Sequence, residues 1–159
     1  MQINLIPLGE EHSVDISALA MRSKAYWGYS PAFMQQCAHE LTYSAQQIAH
    51  NDFHFVGAFS SFINQNSSPL GFYALQRISR EEAELLALFV CPTQIGCGLG
   101  QALLQHAISA AKSQHFTSLV IYSDPNAAAF YAKNGARRVG TQPSGSIAGR
   151  ELPVYQIQL

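Results

Sequence analysis

The sequence is low in charge and has no long apolar run. Charged residues make up 12% of its 159 positions and apolar residues 48%, proportions that exclude a disordered chain and a coiled coil. Nine Lys and Arg face ten Asp and Glu, so the chain cannot assemble a basic face, and we expect no nucleic-acid partner. The longest apolar run, residues 85–91, is too short to span a bilayer, so we expect no membrane partner.

Cysteine is also scarce. Three cysteines without the spacing of a disulfide framework are typical of a reducing compartment, which predicts a cytoplasmic protein. The first eight residues lack the basic start and the apolar stretch of a signal peptide. His50 and His54 are four residues apart, but Asn51 and Asp52 would break a helix there, so we expect no metal site. The length suits one domain over residues 1–159.

Hydrophobic periodicity predicts a mixed α/β order of elements. Residues 84–90 are almost entirely apolar after Glu84, which is typical of a strand covered on both faces. A glycine-rich turn and an amphipathic helix over residues 98–113 follow this strand. The other predicted strands cover residues 2–7, 53–62, 70–78, 119–122, 136–140 and 153–159, and residues 64–69 are expected to join the second and third of these as a hairpin loop.

Capping signals predict further helices. Ser13 is expected to cap a first helix whose inward stripe runs from Ile16 to Tyr26 and Trp27, and Gly28 is expected to end it. The remaining helix starts are predicted at Ser30, Ser44 and Asp124.

The glycine-rich turn is the most informative segment. Gly96, Gly98 and Gly100 allow backbone amides to converge with no Cβ in the way, and the helix that follows directs its free N–H groups at the same place. This arrangement predicts a phosphate site, although a plain tight turn would use the same glycines. A nucleotide P-loop is excluded because Gln101 follows where Gly-Lys-Ser/Thr would continue. A dinucleotide turn is excluded because Gln101 occupies the place of its third glycine.

This turn resembles the coenzyme A loop of the GNAT acetyltransferase superfamily. In that pattern a strand ends in Val-x-Pro and is followed by Gln/Arg-x-x-Gly-x-Gly/Ala. Val90 and Pro92 match the strand end, and Gly98 and Gly100 match the last two positions.

A second stretch resembles another motif of the same family. Asn126, Phe130, Tyr131 and Gly135 match its Asn-x-x-Ala-x-x-Phe-Tyr-x-x-x-Gly pattern with slightly different internal spacing. The two motifs follow each other in the family order, and together they identify the chain as resembling a GNAT acetyltransferase.

The phosphate loop departs from the family pattern at two positions. Ile95 stands where the family has Gln or Arg, with Gln94 one residue early, and Cys97 stands where Lys or Arg is frequent. Because backbone amides bind the phosphates, we expect the loop to function despite the loss of a side-chain contact.

The resemblance implies a fold and a cofactor. The fold is a mixed central sheet of about six or seven strands, flanked by helices and splayed in the middle for the pantetheine arm of acetyl-CoA. No metal is implied. The resemblance places the cofactor-binding residues at Leu88, Phe89, Val90, Ile95, Gly96, Cys97, Gly98, Leu99, Gly100, Gln101 and Asn126.

The resemblance also implies the catalytic residues. Tyr131 is expected to donate a proton to the departing thiolate, although a core aromatic would show the same helical spacing. Glu84 is the candidate base for the amine, and a solvated strand end explains it equally well. We expect it to share a face with Leu86 and Leu88. Asn126 either contacts the pantetheine or caps its own helix.

These features predict an N-acetyltransferase that moves an acetyl group to a primary amine by direct attack in a ternary complex. Its acceptor would be a small molecule or a peptide, and a homodimer is left open. The alternatives are a non-catalytic acyl-CoA-binding regulatory module and an anion-binding nucleotide domain.

Overall fold

A computed structural model describes residues 2–61 and 68–159. Seven strands lie in these two ranges: β1 (Ile3–Pro7), β2 (Phe53–Ser60), β3 (Gly71–Arg77), β4 (Glu82–Val90), β5 (Ser118–Tyr122), β6 (Arg137–Pro143) and β7 (Glu151–Gln158). They form one sheet in the order β1-β2-β3-β4-β5-β7-β6. Neighbouring strands are antiparallel except β4 and β5, which are parallel. The predicted mixed sheet is confirmed.

Helices cover both faces of this sheet. They are α1 (Ser13–Ala25), α2 (Pro31–Cys37), α3 (Ala45–Ala49), α4 (Leu99–Ser113) and α5 (Ala128–Lys133), and three 3-10 turns cover Glu10–His12, Pro92–Gln94 and Pro125–Ala127. Among the described residues, no helix is long and apolar enough to cross a membrane.

Two apolar cores lie on opposite faces of the sheet. The first is covered by α4 and α5 and is built around Tyr73, Leu103, Leu104, Leu119 and Ile121. The second is covered by α1, α2 and α3 and is built around Ile16, Leu19, Tyr43, Ile48 and Phe72. The central strand β4 contributes buried side chains to both cores, as its apolar sequence predicts.

A β-bulge interrupts the pairing of β4 with β3. Leu75 pairs with Leu85, but Ala74 pairs with Ala87, so Leu86 is an extra residue on β4. An inserted residue reverses the alternation of side chains beyond it. The bulge therefore decides which side chains of β4 point to which core.

The bulge corrects the expected surroundings of Glu84. Leu88 packs against the first core, whereas Leu86 packs against the second. Glu84 acts electrostatically on Tyr43, a residue of the second core. Glu84 therefore lies on the side of Leu86, and the expectation that it shares a face with Leu88 is wrong.

The sheet opens between its two parallel strands. β4 and β5 pair only from Glu82 opposite Ser118 to Glu84 opposite Val120. β5 continues to Tyr122 alongside β7, while β4 continues alongside β3. The strands diverge beyond the last pair, which confirms the predicted splay.

The start and end of α1 differ from the prediction. The 3-10 turn before α1 already gives His12 helical backbone angles, so His12 takes the N-cap position and Ser13 is the first helical residue. The Ser13 hydroxyl donates instead to the Tyr43 carbonyl, a tertiary contact. α1 ends before Tyr26 and Trp27, which are 55% and 46% exposed and do not belong to its buried stripe.

Other local predictions are confirmed. The side chains of Ser30 and Ser44 accept hydrogen bonds from the first turns of α2 and α3. Gly28, with φ +89°, follows α1. The predicted strands shift by up to three residues at their ends, and most of the expected hairpin loop over residues 64–69, together with Phe62, lies outside the described residues.

Candidate active site

A cleft of about 780 Å³ passes through the opening between β4 and β5. One wall is the C-terminal part of β4 with the glycine turn and the start of α4, and the other is the end of β5 with α5. Residues from the end of α1 and from the β6–β7 connection complete it. Of the predicted site residues, the cleft is lined by Glu84, Leu88, Phe89, Val90, Ile95, Gly96, Gly98, Leu99, Gly100, Gln101, Asn126 and Tyr131.

The glycine turn presents free backbone amides to the cleft. Gly96 and Gly98 have φ values of +82° and +84°, the left-handed region that glycine adopts without steric cost. The first helical hydrogen bond of α4 runs from the Ala102 amide to the Gly98 carbonyl at 3.1 Å. The amides just before Ala102 therefore have no partner within the helix and can bind an anion.

Cys97 is the one predicted site residue that does not line the cleft. Its side chain is exposed, and its amide donates to the Gln94 carbonyl at 3.3 Å. That amide is therefore occupied, and its neighbours carry the candidate anion site.

The two sequence motifs meet at Gly100. A Cβ placed on Gly100 would lie 3.6 Å from the Phe130 ring and 3.8 Å from Val90. The start of α4 thus packs against α5 and against the end of β4, and this contact holds the glycine turn beside Tyr131.

Beyond Glu84, the edge of β4 that faces the cleft pairs with no strand among the described residues. Leu88, Phe89 and Val90 pair with β3 on their other side. Their backbone groups on the cleft side can therefore bind an extended molecule in the manner of an additional strand.

Tyr131 projects from α5 into the cleft. Its side chain is buried, and its hydroxyl makes no hydrogen bond to any described residue. Burial, together with the negative charge of Asp124, raises the pKa of Tyr131 well above its ordinary value. The hydroxyl is therefore protonated at neutral pH and can act as a donor in the cleft.

Glu84 lies half-buried on β4, on the other wall of the cleft from Tyr131. No hydrogen bond or ion pair joins its carboxylate to another residue in the described ranges. Burial raises its pKa above the ordinary carboxyl value. A carboxylate in this state is a stronger base than one in water.

Asn126 is held by a network at one end of the cleft. Its backbone N–H donates to the Asp124 carboxylate at 2.8 Å, and its side-chain nitrogen donates to the Tyr29 hydroxyl at 2.9 Å. Arg150 donates to the same hydroxyl at 2.7 Å. Tyr29 in turn donates to Asp124, at 2.9 Å from both carboxylate oxygens. The single hydroxyl thus uses its donor and both acceptor positions.

Sequence reasoning missed most of this network. Asp124 was expected only to open a helix, and nothing in the local pattern around Lys24 or Arg150 indicates a site. Burial alone would raise the pKa of Asp124, but the Asn126 amide, the Tyr29 hydroxyl and two neighbouring cations hold it below its ordinary value. Asp124 is therefore ionised at neutral pH.

The cleft between β4 and β5 has free amides at a helix start and an unpaired strand edge. These features are typical of α/β proteins that bind an extended, phosphate-bearing cofactor between two parallel strands. The chain belongs to the acetyltransferase (GNAT) family, whose family model matches residues 20–136. The family and fold class predicted from the sequence are confirmed. No group of three His, Cys, Asp or Glu side chains suited to a metal occurs within the described residues.

Known proteins resemble the chain in sequence and in structure. The peptidyl-lysine N-acetyltransferase YjaB of Escherichia coli (strain K12) is 33% identical over 95 residues, which cover 60% of this chain and 59% of that protein. The PaiA N-acetyltransferase of Thermoplasma acidophilum, solved with coenzyme A, superposes with a TM-score of 0.79 at 24% identity, over all of both chains. A GNAT acetyltransferase of Elizabethkingia anophelis, solved with acetyl-CoA, gives a TM-score of 0.65 at 18% identity, over 99% of this chain and 98% of that one.

Proposed function

We propose that the protein is an acetyl-CoA-dependent N-acetyltransferase that transfers acetyl to a primary amine. The observation that carries this proposal is that one cleft brings four features together. It joins free amides at the glycine turn, the unpaired edge of β4, the Tyr131 hydroxyl and the Glu84 carboxylate. Membership of the GNAT family supports the activity, and the coenzyme A and acetyl-CoA seen in two related structures support the cosubstrate.

The residues of the cleft fit this cosubstrate. The amides from Gly98 to Gln101 would bind the pyrophosphate at the positive end of α4. The backbone of Leu88 to Val90 would bind the pantetheine arm, and we retain Asn126 as a further contact. Bound in this way, acetyl-CoA would supply the thioester that the amine attacks.

The remaining chemistry is assigned to two side chains. A primary amine has a pKa near 10.4, so it must lose a proton before it attacks. Glu84 accepts this proton directly or through water, and the neutral amine then attacks the thioester carbonyl to form the C–N bond. A backbone amide of β4 stabilises the oxyanion. As the C–S bond breaks, Tyr131 donates a hydrogen bond or its proton to the departing sulfur. The second proton lost by the attacking nitrogen balances the protonation of the thiolate. No covalent enzyme intermediate is needed.

An assay of coenzyme A release tests the proposal. With acetyl-CoA and a panel of amines, we expect free coenzyme A to appear in proportion to the acetylated amine. A non-catalytic acyl-CoA module would bind acetyl-CoA and release none with any acceptor. That result would overturn the proposed activity and leave cofactor binding in place.

The arrangement supports three further proposals. One sheet uses strands from both ends of the chain, which supports a single acetyltransferase domain over residues 1–159. Three free cysteines support the cytoplasmic location. The acceptor is proposed to be a small-molecule or peptide amine.

A further inference from the structure

Two mostly buried cations face the cleft beside Asp124. The Lys24 side chain is 12% exposed, and its Nζ lies 3.7 Å from the Asp124 carboxylate. The Arg150 side chain is 15% exposed, and its Nη2 lies 3.2 Å from the same carboxylate oxygen. Both residues line the cleft. The single negative charge of Asp124 therefore faces two positive charges, so this end of the cleft carries a net positive charge.

Many of the donors on these cations are unused. Lys24 makes no hydrogen bond within residues 2–61 and 68–159, and its ammonium lies 5.8 Å from the Tyr29 ring and 5.9 Å from the Phe33 ring. Arg150 uses only Nη2, on Tyr29 and Asp124. Its Nε and Nη1 groups have no hydrogen-bond partner in the described part of the chain. Water can satisfy such donors in the open cleft, but a bound acceptor that displaces the water must replace it.

The proposed cofactor does not supply the missing anion. Its phosphates belong at the glycine turn, which is formed by the N-terminal end of α4. Lys24 and Arg150 lie instead at the end of α1 and in the β6–β7 connection. An anionic group on the acceptor is the remaining part of the proposed reaction that could meet these cations.

The other charged residues that line the cleft are Glu40, Glu84 and Lys133. Glu84 and Glu40 both act electrostatically on Tyr43. No ion pair joins either glutamate to Lys24 or Arg150 within the described ranges. Glu84 thus remains available to an amine, and Lys24 with Arg150 to an anion.

We propose that the acceptor is a small amine that also carries a carboxylate, with the carboxylate bound by Lys24 and Arg150 and the amine placed towards Glu84. This proposal rests on the acetyl transfer proposed above and names the substrate class of the same site. A free N–H of Arg150, on Nε or Nη1, can donate a charge-assisted hydrogen bond to a carboxylate. The Lys24 ammonium adds a second contact.

Matched acceptors test the proposal in the intact protein. Amino acids with α- or ω-amines are compared with their own carboxamides, by the initial rate of coenzyme A release at saturating acetyl-CoA. We expect kcat/KM, expressed per unprotonated amine, to favour each productive acid over its amide by about tenfold or more. A peptide with an internal lysine and blocked termini serves as the carboxylate-free peptide acceptor.

Two variants test whether Lys24 and Arg150 cause the preference for the acid over the amide. Lys24→Gln leaves the bonds among Arg150, Asp124 and Tyr29 intact and should reduce the preference for the acid about tenfold. Arg150→Lys keeps the charge but loses the fixed directions of the guanidinium donors, and should reduce the preference for the acid as well. Lys133→Gln is the matched control, since Lys133 also lines the cleft but lies on α5 outside this cluster. It should leave the acid-to-amide ratio unchanged.

The outcomes separate this inference from the proposed function. If carboxamides or the blocked lysine peptide are acetylated as well as the acids, acetyl transfer stands and the carboxylate subsite is overturned. If the acids are preferred but Lys24→Gln keeps the full ratio, the preference does not come from this pair and the assignment fails. If no amine of any kind releases coenzyme A, the proposed function fails together with this inference.

Discussion

Burial acts in the same direction on Tyr131 and Glu84, with opposite chemical results. Removal from water disfavours the charged form of each group, so both pKa values rise. For Tyr131 the rise keeps the hydroxyl neutral and makes it a weaker acid than a tyrosine in water, so it acts best as a hydrogen-bond donor. For Glu84 the rise makes the carboxylate a better proton acceptor. One physical effect therefore strengthens the proposed base and limits proton transfer from the proposed acid.

Replacing Tyr131 with Phe removes the donor and keeps the ring. We expect turnover to fall by about 10- to 1,000-fold, the range for loss of a general acid, while acetyl-CoA affinity changes little. Steady-state kinetics with a productive acceptor measures this effect. Tyr155→Phe is the control, because Tyr155 is buried next to Tyr131 but does not line the cleft. Equal turnover in the two variants would return Tyr131 to a packing role.

Replacing Glu84 with Gln tests the base and also the cost of burying its charge. A raised pKa in the folded state means that Glu84 favours folding when protonated, and this contribution is lost as pH rises from the unfolded value through the folded one. The variant should therefore be more stable than the wild type at pH 7, and the difference should vanish well below 4.5, the ordinary carboxyl value. Thermal melts across this pH range measure it.

The same substitution should change the pH profile of turnover. If Glu84 is the base, kcat/KM of the wild type falls on the acid side as the carboxylate is protonated, and Glu84→Gln removes that limb along with most of the activity. Glu81→Gln is the control, since Glu81 is exposed just before β4. A Glu84→Gln profile identical to the wild type would assign the proton transfer to water.

At the scale of elements, the proposed phosphate site depends on how α4 begins. Gly98 is the N-cap of α4 with left-handed backbone angles and no side chain to cap the helix. The free amides of the first turn are thus left for a ligand. A serine or aspartate cap, as at Ser30 for α2, would place its own oxygen there.

Gly98→Ala should weaken acetyl-CoA binding by about tenfold or more, because the turn must hold its left-handed angles while a methyl group enters the phosphate position. The space around Gly98 is open within 4 Å, so the methyl group meets no protein atom. Gly28→Ala is the matched control, with φ +89° and equally open surroundings at the end of α1. Isothermal titration compares the two. Equal affinity would mean that the turn does not hold the phosphates.

At the scale of the whole molecule, the cleft exists only because distant segments close around the open sheet. The two cores pack against opposite faces of β4. The Tyr29 network joins the α1–α2 connection to the end of β5 and to the β6–β7 connection. A cofactor bound across this cleft contacts segments that separate on unfolding.

Acetyl-CoA should therefore stabilise the folded protein. At a concentration 100-fold above its dissociation constant, the expected gain is about 2.7 kcal/mol. Thermal melts with and without acetyl-CoA measure the shift, and ATP at the same concentration is the control for a nucleotide domain. A shift with ATP but none with acetyl-CoA would overturn the cofactor assignment.

Contiguous features were predictable because neighbouring residues determine them. The caps at Ser30 and Ser44 and the left-handed glycines of the turn need only local backbone geometry. The cap expected at Ser13 failed because a preceding 3-10 turn had already made His12 helical. Local signals were reliable only where no adjoining element competed with them.

By itself, the sequence determined the family, the mixed sheet and the position of the glycine turn, because short runs of residues carry them. Tertiary structure alone decided on which side of β4 Glu84 lies, since a bulge at Leu86 reverses the alternation. It alone brought Arg150 to Tyr29, 121 residues away in the chain. The physical reason is that register and packing between distant segments, rather than local propensity, set the positions of these charges.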